Sequence, residues 1–145
     1  MNTMNHKGFR IGLLALLFAA AGALYAAGSN DFVVIVNKAN RNPLDKATVA
    51  KIYSGELVAW PDGTRVAAVD LPEDDPVRVN FSREVLGKSV SNIKALWAQL
   101  VFSGRALPPK QASSDEDVKK FVISNRGGIG YIHSSSVDDT VRAEN

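Results

Sequence analysis

The stretch FVVIVNKANRNPLDKATVAKIYSGELVAWPDGTRVAAV, residues 32–69, decides the fold. Its first five residues, Phe32 to Val36, form an unbroken apolar run rich in β-branched side chains, the pattern of a strand covered on both faces. After the turn Asn40-Arg41-Asn42-Pro43 comes Asp45, whose carboxylate can accept from the free amides that open a helix. Val49, Ile52 and Tyr53 then fall at i, i+3 and i+4, and Gly55 sits where the chain must leave that helix. Trp60-Pro61-Asp62-Gly63 reads as a turn feeding a second strand, Val66 to Val69. Strand, helix and strand in one short stretch are the unit of a layered α/β fold.

Towards the C-terminus, Leu71-Pro72-Glu73-Asp74-Asp75-Pro76 places three acids before a helical pattern of Val77, Phe81 and Val85 that ends at Gly87. Ile93, Leu96, Trp97, Leu100 and Val101 predict the cleanest amphipathic helix of the chain, stopped by Gly104. That helix reads as core, with Trp97 its anchor, whereas Trp60 in its proline turn reads as lying across the surface. Pro108 and Pro109 break the chain, and Ser113 with Glu116 reads as a capping box for a helix bearing Val118, Phe121 and Val122. Arg126-Gly127-Gly128 closes it, Ile129 to Ile132 is a third short strand, and a last pair of strand residues is expected near Val141. The alternation predicts a small, mostly parallel sheet flanked by helices, either covered unevenly or completed by a second copy in a homodimer.

Upstream of this domain, Lys7 and Arg10 precede an acid-free apolar run from Ile11 to Ala21, followed by the small residues Ala26, Ala27, Gly28 and Ser29. This is the pattern of a cleavable secretory signal peptide over residues 1–28, cut between Ala26 and Ser29, with the domain over residues 29–145. The apolar run is too short for a membrane-spanning helix, which needs roughly 20 residues. The expected destination is the periplasm, with no membrane span after cleavage.

The full chain of 145 residues carries a formal charge of +2. Without the leader, 15 Lys and Arg stand against 15 Asp and Glu, so the expected domain is neutral and presents no basic stripe for nucleic acid. There is no cysteine, which excludes disulfides, thiol catalysis and zinc-thiolate sites, so the fold must stand on its apolar core. No cofactor is expected.

Outside the leader there is one histidine, His133, beside Ser134, Ser135 and Ser136 and five residues before Asp138. Neighbours on an extended chain point to opposite faces, so His133 and Ser134 do not readily share a proton. No nucleophile elbow, HExxH or phosphate loop occurs, and the sequence reads as a non-enzyme. Gly127, Gly128 and Gly130 follow a helix and precede a strand, the reverse of an anion-cradling loop. They read instead as a helix end and a close approach of backbones. Glu73, Asp74 and Asp75 lack the alternating spacing of a calcium loop and read as dipole complementation at a helix start.

Several stretches together resemble the periplasmic phosphate-binding proteins of ABC importers. They are Pro43-Leu44-Asp45 with Ile52-Tyr53-Ser54-Gly55-Glu56, Trp60-Pro61-Asp62-Gly63 before the second strand, the Trp97 helix, and Gly128-Ile129-Gly130-Tyr131. The resemblance runs from about Val33 to Ile132. It implies a single lobe of a type II periplasmic-binding-protein fold, where full receptors hold ligand between two. Where the family has an arginine and a Gly-Ser-Gly-Thr turn, this chain has Asp70 and then Pro72 to Pro76, with Arg78 one turn inside the helix. The resemblance therefore places ligand-binding residues at Asp70, Asp74, Asp75 and Arg78, in an anion site made degenerate by its acids. Two functions follow as expectations. One is a solute-binding-like protein taking a small anion; the other is a non-transport interaction module for a periplasmic or inner-membrane protein.

Overall fold

The computed structural model describes residues 31–144; the leader expected over residues 1–28, with its cleavage point, lies outside them. Five strands, β1 (Phe32–Val36), β2 (Ala67–Asp70), β3 (Lys110–Gln111), β4 (Gly128–His133) and β5 (Arg142–Ala143), lie in the order β3-β2-β4-β1-β5. Four helices flank them: α1 (Lys46–Tyr53), α2 (Pro76–Phe81), α3 (Val90–Phe102) and α4 (Asp115–Ser124). The expected α/β sheet with flanking helices is present, and it is mostly parallel in that β2, β3, β4 and β5 run the same way while β1 alone opposes them. β2 runs parallel to β3 and β4, whereas β1 runs antiparallel to β4 and β5. An apolar run records burial on both faces, and burial comes from the helices whatever direction the neighbouring strand takes.

β4 is the central strand, and everything from Gly128 to Ile132 on it is buried. On one face lies α4, with Val118 and Val122 fully buried. Its approach is allowed by glycine: a Cβ on Gly130 would come within 2.5 Å of Val118 Cγ1, and one on Gly128 within 2.9 Å of Val122 Cα, while one on Gly127 would come within 1.9 Å of the Arg65 carbonyl oxygen before β2. The Arg126-Gly127-Gly128 run is therefore not a left-handed helix end, since α4 ends at Asn125 in extended backbone. Its cap is likewise one residue later than expected, with Ser114 Oγ accepting from the Asp117 amide at 3.2 Å.

The other face carries an aromatic cluster. Phe81 stacks on Tyr131 at 3.9 Å between centroids and 7° between planes, and Tyr53 and Phe32 meet Phe81 edge-on at 4.9 and 5.6 Å. Such pairs contribute about 0.5–1.5 kcal/mol each beyond the area they bury. Tyr53 comes from α1, capped as expected by the Asp45 carboxylate on the Thr48 amide at 3.0 Å. Phe81 ends α2, and the chain continues in a π-helical turn, Ser82–Leu86, to Gly87. The wider turn suits the spacing of four that brings Val85 to the same core as Val77 and Phe81.

Trp97 is buried and anchors its helix as expected, but Trp60 does not lie across the surface. Trp60 is only 2% exposed and its indole N–H donates to the Gly127 carbonyl at 3.0 Å, so the proline turn folds the ring inwards. α3 lies outside the main core, burying only Ile93 and Trp97. Trp97 bonds the Tyr53 carbonyl at 3.0 Å and packs over Gly55, where a Cβ would strike Leu100 at 2.7 Å. The apolar stripe on α3 is real, but Val101 and Phe102 at its end are exposed.

Candidate functional site

The site grows from the end of β2, where the sheet stops and α2 begins. Asp70, the last residue of β2, is buried, and its backbone carbonyl accepts from the Ala112 amide beside β3 at 2.8 Å. Arg78, one turn into α2, meets the Asp70 carboxylate at 3.2 Å, with the two side chains 12% and 10% exposed. Its other terminal nitrogen donates to the Leu71 carbonyl at 2.6 Å. From β4 the Tyr131 hydroxyl donates to Asp70, and it accepts from the Leu71 amide at 3.4 Å.

Burial raises the Asp70 carboxyl above its ordinary 3.8, while the Arg78 guanidinium and the Tyr131 hydrogen bond pull it back. The phenol of Tyr131 is pushed far upwards, first by burial and then by the Asp70 charge. Tyr53 is raised by the same two causes, and its hydroxyl donates to the Val69 carbonyl at 2.8 Å. The acid, the base and the two phenols thus form one buried, internally satisfied constellation.

The other expected residues do not join it. Asp75 caps α2, its carboxylate accepting from the Val77 amide at 2.8 Å, so an amide that an anion would need is occupied. Asp74 is exposed. Glu73, read from sequence only as a dipole acid, reaches Lys94 on α3 at 3.0 Å.

Asp70, Glu73, Arg78 and Lys94 line an open cleft of about 570 Å³, two charges of each sign. Trp97, Val101, Phe102, Pro108 and Pro109 make its apolar side. Asp74 and Asp75 are not among its walls. Sequence reasoning missed Tyr131, Glu73 and Lys94. The only early signal for Tyr131 was its place in the Gly128-Ile129-Gly130-Tyr131 stretch, and pairing of residues 21 positions apart had none.

A second polar cluster surrounds His133. Its Nδ1 lies 3.0 Å from Asp115 Oδ2, and Ser136 Oγ donates to that same oxygen at 2.6 Å. The serine bonds the carboxylate instead of the imidazole, so this is no activated nucleophile. Asp138 instead meets Lys119 at 2.8 Å, and that bond holds its carboxyl well below the usual range. Lys119, buried on α4, also meets Glu116 at 2.6 Å. What the geometry offers is a neutral, half-apolar cleft beside a buried ion pair, an arrangement for holding a molecule.

Residues 18–144 match the family model of a PBP superfamily domain. Among solved structures, the chain is similar to an ABC-type phosphate transport receptor from Vibrio cholerae, at 22% identity and a TM-score of 0.60 over 78% of this chain and 44% of that one. It is also similar to a structure from Clostridium perfringens described as a phosphate ABC transporter substrate-binding protein with bound phosphate, at 21% identity and a TM-score of 0.62, covering 78% of this chain and 43% of that one. The chain therefore spans less than half the length of either protein. No curated protein matches it significantly.

Proposed function

The chain belongs to the PBP superfamily, and from that premise we propose that it is an exported periplasmic solute-binding-like protein, related to phosphate receptors of ABC transporters, whose anion site is degenerate. The observation that carries this reading is the commitment of Arg78: one terminal nitrogen is taken by the Asp70 carboxylate and the other by the Leu71 carbonyl. The cation best placed to hold an anion is neutralised from within. The Asp75 cap removes the amide of Val77 as well. A carboxylate facing a phosphate repels it by about 1 kcal/mol per charge pair at 4 Å in water, and by several-fold more where solvent is excluded. Glu73 pairs with Lys94, so the cleft as a whole offers no net positive charge to an incoming dianion.

Thermal unfolding in inorganic phosphate tests the reading. A ligand that binds only the folded form at 100 times its Kd adds about 2.7 kcal/mol of stability, an easily measured rise in melting temperature. No rise is expected. A saturable rise would overturn the degenerate site and make the protein a phosphate receptor. Export is tested separately by mass spectrometry of the periplasmic fraction, where a chain cut between Ala26 and Ser29 is expected. Full-length chain in the membrane fraction would overturn that part.

A further inference from the structure

Phe102, at the end of α3, is 96% exposed, and Leu107 in the following loop is 82% exposed. Among the described large apolar residues none is more open than these two. Scattered exposed apolar residues need no explanation, but here Phe102 stands at the wall of an apolar hollow, the cleft side formed by Trp97, Val101, Pro108 and Pro109. A projecting ring and a hollow on one face are self-complementary under a two-fold axis.

We propose that a second copy of this chain docks on this face, each Phe102 ring entering the cleft of the other copy. Two observations support a second copy. The hollow is large enough, since a benzene ring fits a cavity of about 150 Å³ and the cleft offers about 570 Å³. The rim carries Lys94 and Glu73, 65% and 49% exposed, one charge of each sign, so a two-fold axis can set Lys94 of one copy against Glu73 of its partner without self-repulsion. Docking through side chains suits this face better than strand pairing, because the neighbouring edge strand β3 is only two residues long. A specific dimer buries about 1,200–2,000 Å² in total, so the contact extends from the ring onto the charged rim. The proposal goes beyond the solute-binding reading and holds whether or not phosphate binds.

Sedimentation velocity on the protein purified in the form that cells accumulate, with its protomer mass measured, tests this from about 1 to about 200 μM, a range that covers micromolar dissociation constants. A discrete dimer is expected. Phe102→Asp should leave the circular dichroism spectrum and the unfolding midpoint of dilute protein unchanged while raising the dimer dissociation constant at least about 30-fold. Lys94→Glu and Glu73→Lys should each weaken self-association, and an equimolar mixture of the two should recover a dimer, because each copy then meets opposite charges across the axis. A parent protein that stays monomeric throughout would overturn the proposal and give this face to a different polypeptide. A dimer that survives Phe102→Asp, or a mixture that stays monomeric, would overturn it equally.

Discussion

The aromatic cluster under β4 and the apolar ledge at the end of α3 are built from the same kinds of residue and end in opposite surroundings. Tyr53, Phe81 and Tyr131 touch ring to ring with 1% exposure each, while Phe102 is 96% exposed. The cluster is closed because four elements, α1, α2, β4 and β1, each contribute one ring to a common centre. α3 meets the rest of the domain mainly through Trp97 and Ile93, so its final turn overhangs the cleft. Apolar content alone does not make a core; convergence of elements does. The buried residues therefore govern folding, and the overhanging ones are free to govern contacts with other molecules.

The largest effect that separates the two regions is expected at Trp60. Trp60→Ala removes a fully enclosed ring and should cost about 3–5 kcal/mol by denaturant unfolding, with Trp97→Ala costing less because that ring borders open clefts. Equal midpoints for the two variants would place Trp97 in the core after all.

Arg78→Gln comes next, since breaking a buried ion pair from one side costs about 3–5 kcal/mol. It also has a signature in pH. Asp70 holds its proton more tightly folded than unfolded, so its contribution to stability is full below its ordinary 3.8 and is lost as the pH rises through the raised folded value. Without Arg78 the folded value climbs further and the loss extends to higher pH, which carboxyl-carbon NMR and pH-dependent unfolding will both register.

Tyr131→Phe keeps the ring stack and deletes only the hydroxyl, so about 1–3 kcal/mol is expected, with the Asp70 carboxyl again moving up. A downward move would mean that the phenol does not donate to Asp70. The smallest effect belongs to the ledge: Phe102→Ser should change the unfolding free energy of dilute protein by no more than about 0.5 kcal/mol. A loss of several-fold more would place Phe102 within the cooperative core and erase the contrast between the regions.

The helices and every strand but β3 were legible because each left a local mark, whereas β3, two exposed residues after a pair of prolines, left none. The β-branched run of Phe32–Val36, the cap at Asp45 and the glycines around β4 all act over a few residues. Strand direction left no such mark, and β1 proved antiparallel to β4 for that reason. Trp60 was misplaced because a proline turn records a change of direction without recording which way the ring faces. At the site, Asp70 and Arg78 were legible as an acid at a strand end and a cation one turn into the next helix. Tyr131 reaches Asp70 from 61 residues further on and Lys94 meets Glu73 from 21 residues further on, distances at which only the assembled fold brings side chains together.

The order of strands also bears on when the fold can form. Among the described residues, β1 pairs with β4 and β5 alone, and β2 joins the sheet through β3 and β4 alone. During synthesis, β1 therefore waits without a partner until β4, far along the chain, has emerged. Contacts so distant along the chain make folding slow. A chain in that condition remains threadable, which is what the export proposed above would require of it before it closes on itself.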